Sequence, residues 1–186
     1  MSEFPEQRGG QAGDQGGDLS ENQAGQVLGP AVRELLEAHS TLTLATCGPE
    51  GPWAAAVFFA SDDDLNLYFV TDQRTRHGRD LIANGRVAGA LHPDCDAWQD
   101  IRGLQLEGSV SILDGDRRAG ALACYLAKFP RVRSMYEQPQ DEDERLIAGR
   151  LRRVSLFRLI PERIRLIDNG RGFGFKAELR LPGRTR

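Results

Sequence analysis

Cysteine is scarce in this chain and badly spaced for cross-linking. Cys47, Cys95 and Cys124 are odd in number, far apart, and form no CxxC, which excludes a disulfide framework and a cysteine-based zinc site. They are expected to be reduced packing residues. No apolar run approaches the roughly 20 residues of a membrane span, and the N-terminus lacks the apolar centre of a signal peptide. A soluble, cytoplasmic protein with no membrane partner is therefore expected. Nor is there an excess of positive charge: the net charge is −3 and the pI about 5.7, which argues against general nucleic-acid binding. The charge is uneven, with five acids (Glu3, Glu6, Asp14, Asp18, Glu21) against Arg8 in the first 29 residues, and eleven bases against Glu162, Asp168 and Glu178 from Arg150 onward. Those late bases alternate with apolar residues and lack the interleaved aromatics that stack on nucleic-acid bases.

What is present suits one domain: 186 residues, 40% hydrophobic, enough for a real core. Residues 1–28, rich in Gly, Gln and acids, have little to bury and are expected to be disordered. The domain is expected to occupy 29–186. Pro30 suits a first helical turn, and Val32, Leu35 and Leu36 continue a short amphipathic helix to about His39.

Alternation at Leu42 and Leu44, a Gly/Pro break at Gly48–Gly51, and a second run from Trp53 to Ala60 predict a hairpin. The run Ala54, Ala55, Ala56 is unusual in a strand; it suits either a crowded neighbouring strand or a flat ligand close to the backbone. Asp62–Asp64 is a polar turn. Leu65, Leu67 and Phe69 then alternate with Asn66, Tyr68 and Val70 as a third strand. Arg86–His92 and Ile101–Leu113 read as further strands, the latter bent at Gly103 and Gly108. Residues 116–129 read as a helix, Pro130 to Tyr136 as a connector, and Asp141–Glu144 as the acidic start of a last helix, structural rather than catalytic. Val154–Ile160 and Ile164–Leu166 read as two strands hinged at Pro161 and Glu162. The glycines at 170, 172 and 174 follow a strand without opening a helix, so they are turn residues and not a dinucleotide fingerprint. Short strands with few helices between them predict a barrel, not a doubly wound sheet.

The third strand runs into a helix through TDQRTRHGRD, and this junction is the candidate site. Thr71 and Asp72 are good N-cap residues, which would leave the N–H groups of Gln73 to Thr75 facing an anion at a helix N-terminus. Thr75 adds a hydroxyl and Arg76 a guanidinium. Taken alone, the junction also reads as a surface where Arg76 pairs with Asp80 while Arg74 and Arg79 are solvated. His77 near a phosphate would have its pKa raised; a surface histidine without a role fits equally. His39 and His92 have no metal-ligand spacing, and no metal site is expected. Trp53 and Trp98 suit the core or an interface.

With these residues placed, the stretch from about Thr41 to Leu113 resembles the pyridoxamine 5′-phosphate oxidase-like FMN-binding split barrels. YFVTDQRTRHGRDLIANGRVA is similar to that family's phosphate-binding stretch, its Ser/Thr, Arg, Lys triplet falling on Thr75, Arg76 and His77. IDNGRGFGFK is similar to the ending of a small bacterial subfamily without an assigned reaction. The resemblance implies a mainly β protein with flanking helices, a six-stranded antiparallel split β-barrel that forms a homodimer and binds FMN along the subunit interface. It further implies that the backbone of Ala55, Ala56, Val57 and Phe58 meets the flavin ring. Val70, Thr71, Thr75, Arg76 and His77 would surround the phosphate, and Gln105 would approach the ring edge. The implied activity is a flavin-dependent oxidoreductase acting on an unidentified small molecule. Alternatives are a non-enzymatic flavin-binding or regulatory dimer, or haem or a deazaflavin in the same groove. The oxidase's own Arg and Lys before and near the phosphate fall on Ala55 and Ala60, its triplet Lys on His77, and its C-terminal Arg and His pair has no counterpart. Weaker FMN binding, and no pyridoxamine phosphate oxidase activity, are implied.

Overall fold

The computed structural model describes the backbone of residues 21–181 and side chains from residue 28 onward. Helix α1 (Glu21–Ala38) starts well before Pro30, which lies inside it. Of the stretch expected to be disordered, residues 1–20 lie outside the described residues, and 21–28 have helical backbone. Val32, Leu35 and Leu36 are buried, as their spacing predicts.

Strands β1 (Thr41–Gly48) and β2 (Gly51–Ser61) form the expected hairpin, in register from Thr41↔Phe58 to Gly48↔Gly51. Gly51 has φ 89°, a conformation glycine adopts without steric cost. The next strand begins two residues later than its alternation suggests. Leu65 takes φ 63°, rare for a side chain with a branched body, and is tucked into the core by a turn in which Asp62 O accepts from Leu65 N and Asp62 Oδ1 from Asn66 N. Strand β3 (Leu67–Thr71) then leads into helix α2 (Arg76–Ala83) and strands β4 (Arg86–Leu91) and β5 (Arg102–Ile112).

Helices α3 (Gly115–Lys128), α4 (Pro130–Glu137) and α5 (Glu142–Arg153) follow. The stretch expected to be a connector is α4, with Pro130 in its first turn, where a missing N–H costs nothing. Asp141 caps α5 by accepting from Glu144 N at 2.8 Å, while Glu144 accepts from Gln140 N at 2.7 Å. The acids there are structural, as their position at the positive end of a helix implies.

The two strands expected after α5 are one, β6 (Ser155–Asp168). Pro161 does not break it because the disturbance is taken up as a β-bulge: the register slips between Glu107 and Gly108, where a Cβ on Gly108 would stand 2.1 Å from Ile160 O. After the glycine turns, β7 (Lys176–Arg180) adds to the far half of β6. The strand order β3-β2-β1-β4-β5-β6 closes through β3–β6 pairing, Leu67↔Leu159 to Thr71↔Ser155, all antiparallel. This is the expected six-stranded barrel, with β7 as an extra strand.

Inward residues of every strand fill the barrel, Leu42, Leu44, Phe59, Leu67, Phe69, Leu104, Phe157 and Ile164 among them. Phe69 and Phe157, opposite one another across the closing pair, stack with centroids 5.4 Å apart and planes 9° apart. Lys128 ties two helices to this core: Nζ donates to Leu36 O (2.7 Å) and His39 O (2.6 Å) at the end of α1 and lies over the Phe59 ring. Burial pushes its pKa down to about 8. The cysteines are free, but Cys47 and Cys95 are exposed and only Cys124 is half-buried, so two of the three are not packing residues.

Helix α2 is fixed to the barrel by a buried polar contact, Thr46 Oγ1 donating to Asp80 Oδ2 at 2.9 Å, with both residues under 5% exposed. Thr46→Val keeps the shape but strands a buried carboxylate oxygen. It is expected to cost about 1–3 kcal/mol in urea unfolding; a loss of only a few tenths would show that this contact does not hold the helix.

Candidate functional site: the corner between β3 and α2

The helix is capped by Thr75, not by Thr71 or Asp72. Thr75 Oγ1 accepts from Gly78 N at 3.1 Å and donates to Asp72 O at 2.7 Å, while Thr75 N is bonded to Asp72 O. The residues of the first turn are accordingly Arg76, His77 and Gly78, and the N–H groups of Arg74 and Thr75 are already used within the loop. The loop can fold this tightly because residue 78 is glycine. A Cβ there would lie 2.3 Å from Asp72 O and 2.9 Å from Gln73 Cα.

Thr71, Thr75 and His77 form one cluster: His77 Nε2 lies 2.6 Å from Thr71 Oγ1 and 3.3 Å from Thr75 Oγ1, and the two hydroxyls are 3.4 Å apart. Burial holds the His77 pKa below its usual value, with the Asp80 carboxylate opposing. That is the reverse of the rise expected beside a phosphate, because desolvation outweighs the one nearby charge. Arg76 does not pair with Asp80. Its NH2 donates to Glu50 O at 3.0 Å, and the guanidinium lies 4.4 Å above the Trp53 ring, which is exposed rather than in the core. Its Nε is buried without a hydrogen-bond partner. Arg74 is taken up by Asp72 through a bidentate contact that lowers the Asp72 pKa to about 2, and Arg79 reaches Arg74 O and Glu50.

Arg76 thus joins the corner to the start of β2, where the alanine run lies. Ala54, Ala56 and Phe58 are exposed on its outer face, beside Thr43 and Ala45 of β1 and Ala88 of β4; Ala55 is half-buried and Val57 is in the core. Gln105 is exposed on β5 between Ala90 and Arg165 on the same sheet face. A cleft of about 370 Å³ runs over this face, lined by Thr43, Ala45, Ala88, Gln105, Arg163 and Arg165 among others. Besides Val57, one candidate points elsewhere: the Val70 side chain packs beneath α3. Ala60, where the oxidase's Lys would fall, is buried under Tyr125 and Leu126. Val57 and Val70 therefore offer only backbone to a ligand. Sequence reasoning missed Glu50, Gly78 and Asp80. The tight spacing of Gly78 after the Thr, Arg, His triplet was the one available signal; the roles of Glu50 and Asp80 depend on contacts across 26 and 34 residues.

A closed six-stranded antiparallel barrel, with helices inserted between β5 and β6, defines a split-barrel protein. The chain belongs to the pyridoxamine 5′-phosphate oxidase family, whose model matches residues 28–165. It is similar to a UPF0306 protein of Serratia proteamaculans, 27% identical over 146 residues that cover 78% of this chain and 90% of that one. Among solved structures it is similar to a haem-binding protein from Mycobacterium smegmatis (TM-score 0.58, 22% identity, 78% of this chain and 55% of that one). HutZ, the haem storage protein from Vibrio cholerae, is also similar (TM-score 0.55, 23% identity, 73% and 90%). At those identities the structures share the fold alone. Among the described residues no helix is long and apolar enough to cross a membrane, and no group of three metal-ligating side chains is found.

The depressed His77 pKa has a definite consequence for stability. Unfolded chain takes up the imidazole proton near pH 6.5 and the folded chain only lower, so the contribution is complete above pH 6.5 and is lost as pH falls below it. His39, also depressed by burial, acts in the same direction. Denaturation at pH 7 and pH 5 should therefore show a smaller acid loss in His77→Gln than in the wild type. Equal losses would mean that His77 is not desolvated as described.

Proposed function

We propose that this protein is a homodimer that binds FMN and serves a redox reaction on a small molecule. The phosphate is assigned to Thr71, Thr75, Arg76 and His77, and the ring to the outer face of β2. The observation that supports this most is Arg76, a half-buried cation whose Nε has no hydrogen-bond partner, its nearest carboxylate being Glu50 at 4.0 Å, and whose guanidinium reaches from the helix N-terminus to the start of the alanine strand. An anion is what such a donor set suits: two hydroxyls, an imidazole, a guanidinium and the positive end of a helix. Bound there, FMN supplies the electron chemistry, while the protein supplies orientation and a dry surface. His77, brought next to a dianion, would gain a proton more readily and donate it to a phosphate oxygen. The small side chains of Ala54 and Ala56 leave the backbone open to a flat ring, with Gln105 near its edge.

The exposed residues Thr43, Ala45, Ala56, Phe58 and Ala88 are uncharged and mostly apolar, which suits burial against a second copy. Fewer cations surround the phosphate than in the oxidase. Ala55 has no charge, Ala60 is buried, and Arg74 and Arg79 have carboxylate partners. Affinity should be correspondingly lower.

A second reading, haem in the same groove, is favoured by the haem-binding and haem storage names of two structural neighbours. Absorption of the purified protein separates the readings, since flavin and haem bands do not coincide. Titrating FMN by its fluorescence should give saturable binding, and Arg76→Ala should weaken it about 10- to 100-fold, the value of one charge-assisted contact. Unchanged affinity in Arg76→Ala would overturn the phosphate assignment.

A further inference from the structure

A second basic site lies at the end of α5; it borders the loop of Asp72 and Arg74 but contains none of Thr71, Thr75, Arg76 and His77. Asp72, Arg74, Arg150, Arg153 and Val154 line a cleft of about 740 Å³, within the size range of small-molecule sites. Its wall is built from the loop after β3 and the last turn of α5, held together by Gln73 Nε2 donating to Ser155 Oγ at 2.7 Å.

Cations in the last turn of a helix complement its dipole whatever else they do, and Arg152 in addition ties α5 to α4. It donates to Tyr136 O at 2.7 Å and lies over the Tyr136 ring. Arg150 and Arg153 instead enter the cleft. Arg153 spends its Nε on Gly149 O, and the Arg150 guanidinium has no hydrogen-bond or ion-pair partner among the described residues. The only carboxylate in the lining, Asp72, is already engaged by Arg74 through bonds of 2.6 and 3.0 Å. Two guanidiniums without a carboxylate partner among the described residues therefore face one space. That charge matches a phosphate monoester, at roughly −1.5 to −2 near neutral pH, and planar guanidiniums accept such a group through paired N–H donors and stack on heterocycles.

We propose that this cleft binds the phosphate monoester of a nucleotide, held by Arg150 and Arg153 with Arg74 at the rim. It is separate from the corner at Thr71, Thr75, Arg76 and His77, and does not depend on the flavin reading.

Calorimetry on the full chain with two matched pairs tests this: NADP+ against NAD+, and AMP against adenosine. Each pair differs by one phosphate monoester. In at least one pair the phosphorylated member should bind roughly tenfold or more tighter, as loss of a charge-assisted contact implies. The preference should disappear in Arg150→Gln/Arg153→Gln. It should persist in Arg152→Gln, which removes the same charge from the same helix turn, and in Arg76→Ala. Parity in both pairs, or a preference untouched by the double substitution, would overturn the proposal. So would a preference abolished by Arg76→Ala, because the phosphate would then occupy the corner. Loss of FMN binding in Arg76→Ala with the nucleotide preference intact separates the two sites.

Discussion

Pairing of β3 with β6 is the constraint on which the functional end of the molecule depends. It closes the barrel from Leu67↔Leu159 to Thr71↔Ser155 and stacks Phe69 on Phe157 in the core. The same pairing delivers Thr71 to the corner on one side and Ser155, with the end of α5, to the arginine cleft on the other. β6 can serve three neighbours because it is long: its first half bonds β3, its second half bonds β7, and β5 lies along its other edge. The bulge opposite Gly108 absorbs the bend this requires.

Closure alone would leave α2 free to swing. Three contacts prevent it: the buried Thr46–Asp80 hydrogen bond, the Thr75 cap over Gly78, and Arg76 bound to the β1–β2 hairpin. Two of them join α2 to the β1–β2 hairpin and the third fixes its leading loop onto its own first turn, so the hydroxyls and imidazole of the corner are held in place. In the proposed reading, donors preorganised in this way would bind the phosphate without first being ordered, offsetting part of the charge missing at Ala55 and Ala60. Beyond the corner, the β1–β2–β4 face carries Thr43, Ala45, Ala54, Ala56, Ala88 and the larger Phe58, and charge returns toward its far rim. There Glu107 pairs with Arg163 and Glu178 with Arg165.

Local periodicity made much of this readable. The strands of the hairpin, β4, β5, α3 and the acidic start of α5 are where their alternation and caps place them, because one buried face and a local turn decide each. The failures share a cause. By local propensity Pro30 and Pro130 are punctuation, whereas α1 continues through the first and α4 starts at the second. Pro161 locally suggests a hinge, but pairing with β5 and the flanking strands carries β6 past it. The cap moved from Thr71 to Thr75 because Gly78 lets the loop fold onto the helix, a contact that no propensity encodes. Of the site, Thr71, Thr75 and His77 come together as expected, and Arg76 is close by but turned toward Glu50 and Trp53. Val57 and Val70 face the core and α3. The arginine cleft was not legible, since Arg74 and Arg150 lie far apart in sequence and meet only through closure.

A crystal structure of the protein grown with FMN tests the central claim most directly. The account predicts the phosphate within hydrogen-bonding distance of Thr75, Arg76 and His77, with the ring along Ala54–Phe58. A corner without phosphate, with the FMN found only in the cleft of Arg74, Arg150 and Arg153 or on a face remote from α2, would contradict it.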